Sequence, residues 1–134
     1  ALSIAQAKDF VEEMDGGLEA CITQGGTNVS GGQRQRLAIA RALVKQASIY
    51  VFDDSFSALD FKTDSQLRAA LKREVADATV LIVAQRVSTI IHADQIIVLQ
   101  DGTIAGLGTH QELLECCETY REIVYSQLSE EEVA

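Results

Sequence analysis

The stretch Asn28–Val44, NVSGGQRQRLAIARALV, restricts the fold more than any other part of the chain. Ser30 is a strong helix N-cap, Gly31 and Gly32 come next without side chains, and Gln33 leads into a run of Ala, Leu and Arg, all good helix formers. The first turn of such a helix offers unobstructed backbone N–H groups and one hydroxyl. Its macrodipole puts a partial positive charge at the same end, so the site suits an anion and above all a phosphate. A bare Ser-Gly-Gly would also fit a capped surface helix behind a glycine turn.

The remaining composition narrows the class. With 134 residues, 47% hydrophobic and 23% charged, the chain has the make-up of one soluble globular domain or part of one. No apolar run approaches the roughly 20 residues that cross a bilayer, and the start ALSIAQAKDF lacks the basic-then-apolar layout of a signal peptide. Eleven basic against twenty acidic residues give a formal charge of −9, which argues against nucleic acid or an anionic membrane surface as a direct partner. Cys21, Cys116 and Cys117 lack C-x-x-C spacing and read as reduced cytosolic thiols. His92 and His110, the two histidines, are expected to be structural or solvated. There is no proline, and the acidic tail 129–134 is expected to fray.

In chain order, Ser3–Met14 carries Ile4, Ala7, Phe10, Val11 and Met14 at helical spacing and is expected to be a helix ended by Asp15-Gly16-Gly17. Leu18–Thr27 reads as loop, and the next helix is expected from Gly31 to Lys45. Ser48–Phe52 (SIYVF) is a short apolar run that predicts a strand buried on both faces, of the parallel-sheet kind. Asp53 and Asp54 close it, where open α/β sheets bind ligands; alone, the pair would equally suit a solvated turn or a cap. Ser57-Ala58-Leu59-Asp60 precedes a helix over about Phe61–Val75. Thr79–Ala84 predicts a second buried strand ending at Gln85-Arg86, and Val87–Ile91 a short turn or helix. Gln95–Leu99 and Thr103–Leu107 flank Asp101-Gly102, a hairpin signal that pairs them antiparallel. Thr109-His110-Gln111-Glu112 is a capping box, and a last amphipathic helix is expected over about Thr119–Leu128.

V-S-G-G-Q-R-Q-R-L-A-I-A-R-A-L resembles the signature motif of ATP-binding cassette (ABC) ATPases, with Val at its first place where Leu is usual. The motifs C-terminal to it are similar, in the same order, to those in the second half of an ABC nucleotide-binding domain, and the resemblance covers about residues 3–125. It implies an α/β fold: the C-terminal half of a P-loop NTPase (RecA-like) domain. Residues 1–46 would supply part of the helical subdomain, 47–128 the second half of the ATPase core, and 129–134 a tail. Ile49–Asp53 resembles the Walker B strand, whose Asp53 would hold Mg²⁺. Ser57, Ala58, Leu59 and Asp60 match the D-loop, which in the family crosses a dimer interface. Thr79–Arg86 looks like the switch strand, and Ile96–Leu113 like the closing hairpin and helix of exporter-type domains. Ser30, Gly31, Gly32 and Gln33 would address ATP held by a second nucleotide-binding domain, and a transmembrane domain would complete the transporter at the cytoplasmic face of a bacterial membrane.

Three departures from the family pattern carry their own expectations. No G-x-x-x-x-G-K-[ST] occurs, so the chain is expected to be a piece of a longer protein, to bind ATP weakly at most by itself, and to lack the strand that in such folds lies between the switch strand and QIIVL. Unpaired edges there would favour disruption or association. Asp54 stands where the family usually has Glu, one methylene shorter in reach for polarising the attacking water. Gln85 replaces the switch histidine; it can hydrogen-bond a γ-phosphate but cannot carry positive charge. Together these changes resemble the degenerate-site subunit of heterodimeric bacterial exporters. A homodimeric exporter with slow sites, a soluble ABC ATPase and a non-catalytic dimerisation module are the alternatives.

Overall fold

The computed structural model describes residues 1–127, so Leu128 and the acidic tail lie outside the described residues. The chain separates into two compact units, Ala1–Val83 and the part from Ala84 onward, each with its own core.

The first unit contains α1 (Lys8–Glu13), α2 (Gly31–Leu43), β1 (Ile49–Asp53), α3 (Phe61–Glu74) and β2 (Thr79–Val83). The helix expected over Ser3–Met14 is cut to its second half. Gln6 takes a left-handed conformation (φ 55°), and the N–H groups of Gln6 and Ala7 turn back to the carbonyls of Ser3 (3.2 Å) and Leu2 (2.8 Å). That paired arrangement is how a helical turn is terminated, so residues 1–7 make one closed turn before α1 begins. The break turns the Gln6 carbonyl to Arg36 of α2, whose Nη1 donates to it, while the guanidinium lies 4.7 Å from the centroid of the Phe10 ring. A continuous helix would have spent that carbonyl internally. The loop expected over Leu18–Thr27 holds two short 3₁₀ turns, Gly17–Glu19 and Gln24–Gly26.

β1 and β2 pair in parallel, Ile49 opposite Thr79 through Asp53 opposite Val83. Tyr50 and Phe52 point into a core shared with Ile39, Leu43, Leu67 and Leu71 of α2 and α3. The expectation of burial on both faces fails: Ile49 is 64% exposed, Val51 62%, Leu81 47% and Val83 51%. The reason is layer number. β1 and β2 form a two-stranded sheet, and only the Tyr50/Phe52 face joins the helical core, so the unbroken apolar run in the sequence overstates what the described residues cover.

The second unit contains α4 (Val87–Ile90), β3 (Ile96–Gln100), β4 (Thr103–Gly108), α5 (His110–Cys116) and α6 (Glu118–Gln127). β3 and β4 form the expected antiparallel hairpin. Asp101 (φ 50°) and Gly102 (φ 76°) are both left-handed, as a two-residue turn matched to strand twist requires. The register shifts between Val98 and Leu99, leaving Ala105 as the extra residue of a bulge, and its carbonyl faces the Cys117 thiol (3.8 Å). Thr109 and Glu112 form the reciprocal capping box read from the sequence. Val87, Ile96, Val98, Leu113, Cys117, Tyr120 and Val124 make the core.

His110 is structural: its Nδ1 lies 2.8 Å from the hydroxyl of buried Tyr120, with the rings edge to face. Burial, and secondarily the charge of His92, hold the His110 imidazole below its usual value. A histidine with a depressed folded pKa is protonated first in the unfolded chain, so stability is intact above about 6.5 and declines as pH falls through the lower folded value. Thermal melts should therefore show a mid-acid loss that His110→Gln reduces. A second expectation concerns Gly106. A Cβ added there would meet Cys117 Sγ at 2.8 Å and Leu113 Cδ2 at 2.9 Å, both buried. Gly106→Ala should lower the unfolding free energy by about 1–3 kcal/mol, read from the urea midpoint.

Candidate functional site

The start of α2 is built as its sequence suggests, with one addition. Ser30 Oγ accepts from the Gln33 N–H (3.2 Å), and Gln33 Oε1 accepts in return from the Ser30 N–H (2.8 Å). Gln33 is thus part of a capping box, its side chain folded back onto the backbone. The first N–H groups of a helix have no acceptor within it, so those of Gly31 and Gly32 lie at the open end beside an exposed Ser30. The preceding loop is fixed onto this end. Asn28 accepts from Thr23 and donates to the Cys21 carbonyl (2.9 Å), and Arg34 donates to the Gly25 carbonyl (2.9 Å).

The Ser57–Asp60 segment packs directly on that helix start. A Cβ on Gly32 would come within 3.0 Å of the Ala58 carbonyl oxygen, whereas one on Gly31 would meet only the Ala58 Cβ at 3.7 Å. The two glycines therefore differ: Gly32 is needed for close backbone approach, Gly31 is not. Leu59 is buried in the core, and Asp60 caps α3 by accepting from the Thr63 N–H (3.0 Å) and hydroxyl (2.7 Å). The backbone bond from Thr63, then its hydroxyl, hold the Asp60 carboxyl below the ordinary aspartate value.

Asp53 and Asp54 close β1 with both side chains exposed. Asp54 is left-handed (φ 47°), a conformation uncommon outside glycine, asparagine and aspartate. Both of its peptide groups are held: its N–H donates to the Val83 carbonyl (3.0 Å), and its carbonyl accepts from Gln35 Nε2 (3.1 Å) and Ser57 Oγ (3.0 Å). Gln35 is the residue of this cluster that sequence reasoning misses. Its Nε2 also reaches Ser57 Oγ (3.0 Å), and its Oε1 accepts from the Ala58 N–H (2.9 Å). One amide thus ties α2, the carboxylate pair and the Ser57–Asp60 segment into one piece. The only signal for it is a polar residue on the helix next to an apolar stripe.

Gln85 lies in the second unit, in the connection from β2 to α4. Its side chain is exposed, and its backbone carbonyl accepts from Gln127 Nε2 (2.8 Å). The structure thus gathers Ser30–Gln33, Asp53–Asp54 and Ser57–Asp60 within the first unit. Among the described residues no three His, Cys, Asp or Glu side chains cluster as a metal-ligand set. Exposed carboxylate at a strand end is still suitable for Mg²⁺, which takes one or two carboxylates and completes its shell with water and substrate phosphates.

The family model described as ABC transporter matches residues 3–57. An uncharacterized ABC transporter ATP-binding protein of Mycobacterium tuberculosis is 52% identical over 127 residues, which cover 95% of this chain and 22% of that protein. The ATP-dependent lipid A-core flippase of Albidiferax ferrireducens is 48% identical over 120 residues, covering 90% of this chain and 21% of the flippase. The structure of a bacterial Atm1-family ABC exporter with ATP bound superposes with a TM-score of 0.89 at 35% identity, over 95% of this chain and 22% of that one. The chain therefore spans about a fifth of the length of the proteins it matches. Among the described residues no helix is long and apolar enough to cross a membrane.

The asymmetry between the two glycines gives a direct check. Gly32→Ala should lower the melting temperature relative to Gly31→Ala by the equivalent of about 1 kcal/mol, because only the former displaces the Ala58 peptide.

Proposed function

We propose that this chain, which is similar along nearly its whole length to ABC transporter ATP-binding proteins, is the signature-bearing part of the ATP-binding domain of a bacterial exporter. Residues 1–46 supply part of the helical subdomain, and 47–128 the second half of the ATPase core. Ser30, Gly31, Gly32 and Gln33 address the phosphates of ATP bound by a second nucleotide-binding domain. The observation that supports this most is the rigid helix start, where a capped hydroxyl and bare N–H groups are fixed against Ser57–Asp60 by Gln35. Hydroxyl and N–H donors placed in advance at a helix N-terminus stabilise phosphate charge without reorganising.

At this subunit's own site, Asp53 would hold Mg²⁺, which when bound supplies charge neutralisation on the phosphate oxygens. Asp54 orients and polarises the attacking water, and Gln85 donates a hydrogen bond toward the γ-phosphate. Asp54 is one methylene short of glutamate, and a misplacement of about 1 Å can cost on the order of 100-fold in rate. Gln85 stays neutral where an imidazolium would carry charge. The parent is therefore a heterodimer that hydrolyses ATP mainly at the site where this signature serves the partner, with its own site slow. The transmembrane domains couple closure of the pair to export at the cytoplasmic face of the membrane. The chain alone, without a lysine-bearing phosphate loop, turns over no ATP.

The test is single-turnover hydrolysis in the full heterodimer carrying Asp54→Glu with Gln85→His. Turnover at this subunit's site should rise by roughly tenfold or more. An unchanged rate there would count against the assignment of a degenerate site.

A further inference from the structure

Gln85 has an exposed side chain, but its backbone is held from a distant part of the second unit. Gln127, 42 residues on and near the end of the described α6, donates through Nε2 to the Gln85 carbonyl (2.8 Å). Its Oε1 accepts from the Val87 N–H (2.9 Å). One side-chain amide thus straddles Arg86 and pairs with the chain on both sides of it, as a neighbouring peptide would in a sheet. The Val87 N–H opens α4, whose N-cap Arg86 makes no side-chain cap, so Gln127 satisfies a helix-end donor from outside the helix.

Both ends of this clamp are anchored. Val87 is 1% exposed, and Tyr120 and Val124 of α6 are 1% and 0% exposed in the same core. Gln127 lies less than one helical turn beyond Val124, so the packing that seats Val124 also fixes where the amide stands. The Gln85 peptide is therefore held at its carbonyl, while its side chain is exposed to solvent.

We propose that Gln127 is a positioning residue for the switch segment: its amide fixes the backbone from which residue 85 reaches the γ-phosphate. The inference rests on the proposed role of Gln85 as a γ-phosphate donor. Because the clamp grips backbone, it serves residue 85 whether that residue is Gln or His.

The experiment uses the full-length heterodimer with Mg²⁺ and ATP, and measures single turnover at this subunit's own site together with nucleotide affinity. Gln127→Ala should slow turnover roughly tenfold with ATP affinity unchanged, since orientation rather than binding is lost. The same loss should appear in a Gln85→His background. In a Gln85→Ala background Gln127→Ala should cost nothing further, because there is no side chain left to aim. Without nucleotide, Gln127→Ala should also speed hydrogen exchange in the peptide covering residues 84–90 while leaving the β3–β4 hairpin protected. If Gln85→Ala slows turnover but Gln127→Ala does not, or the two losses add in full, the positioning role is overturned and the reading of Gln85 survives. If Gln85→Ala leaves turnover unchanged, that reading is the one that fails, and the role of Gln127 falls with it.

Discussion

The first unit depends on how one helix start meets one loop. A left-handed Asp54, a tight turn through Ser57, and a backbone that approaches Gly32 to contact distance are each unfavourable or indifferent by themselves. Left-handed backbone outside glycine persists only where its surroundings determine it. Here the determinant is the Gln35 amide, which takes both the Asp54 carbonyl and the Ala58 N–H. Helix α2 supplies the leverage, since Ile39, Ala40 and Leu43 bury its far end in the core and so fix Gln35 four residues before Ile39. A hydrophobic face that only needs to pack thus positions a polar contact that needs accuracy.

What could be read in the sequence was what depends on near neighbours along the chain. Ser30 as a cap, the Thr109–Glu112 box and the Asp101-Gly102 turn each involve residues at most three apart, and all form. The strands Ile49–Asp53 and Thr79–Val83, and the parallel kind of the first, were legible from apolar runs separated by a helix; that the two pair with one another is seen only in the structure. The break at Gln6 was hidden because the apolar period continues through it; what ends the turn is a backbone conformation and the pull of Arg36 from 30 residues away. Exposure of Ile49 and Val51 was hidden for a related reason. A sequence records how apolar a strand is, not how many layers the described residues provide to cover it. The bulge at Ala105 and the closeness of Gly106 to Cys117 likewise depend on the hairpin meeting α5 and its end, which no local pattern encodes.

The site residues divide along the same line. Ser30, Gly31, Gly32, Asp53 and Asp54 stood out by residue type at a helix start and a strand end, and Gln85 through the resemblance of its segment to the family's switch strand. Gln35 and Gln127 did not, because glutamine has no periodic signature and its role is set entirely by what it faces. The difference between Gly31 and Gly32 was likewise not legible; both looked like bare N–H donors, yet only Gly32 faces a carbonyl at 3.0 Å.

That both clamps are glutamines has a physical reason. Holding a peptide requires a donor and an acceptor together, and the amides of Asn and Gln present both side by side in one plane, without charge at any ordinary pH. Gln35 works next to the exposed carboxylates Asp53 and Asp54. A lysine or arginine in its place would donate to the Asp54 carbonyl but would also attract those carboxylates and pull them from any cation they serve. A glutamate would accept from the Ala58 N–H, but it would repel the carbonyl and add a third negative charge to the cluster. The neutral amide fixes the backbone and leaves the local field to the carboxylates. Reach then selects between the two amides. From a helix face to a loop carbonyl, glutamine's extra methylene covers a gap that asparagine would leave open. At Gln127 the same argument applies: the amide completes the Gln85 carbonyl and the Val87 N–H at once, whereas a donor-only or acceptor-only side chain would leave one of them unmet.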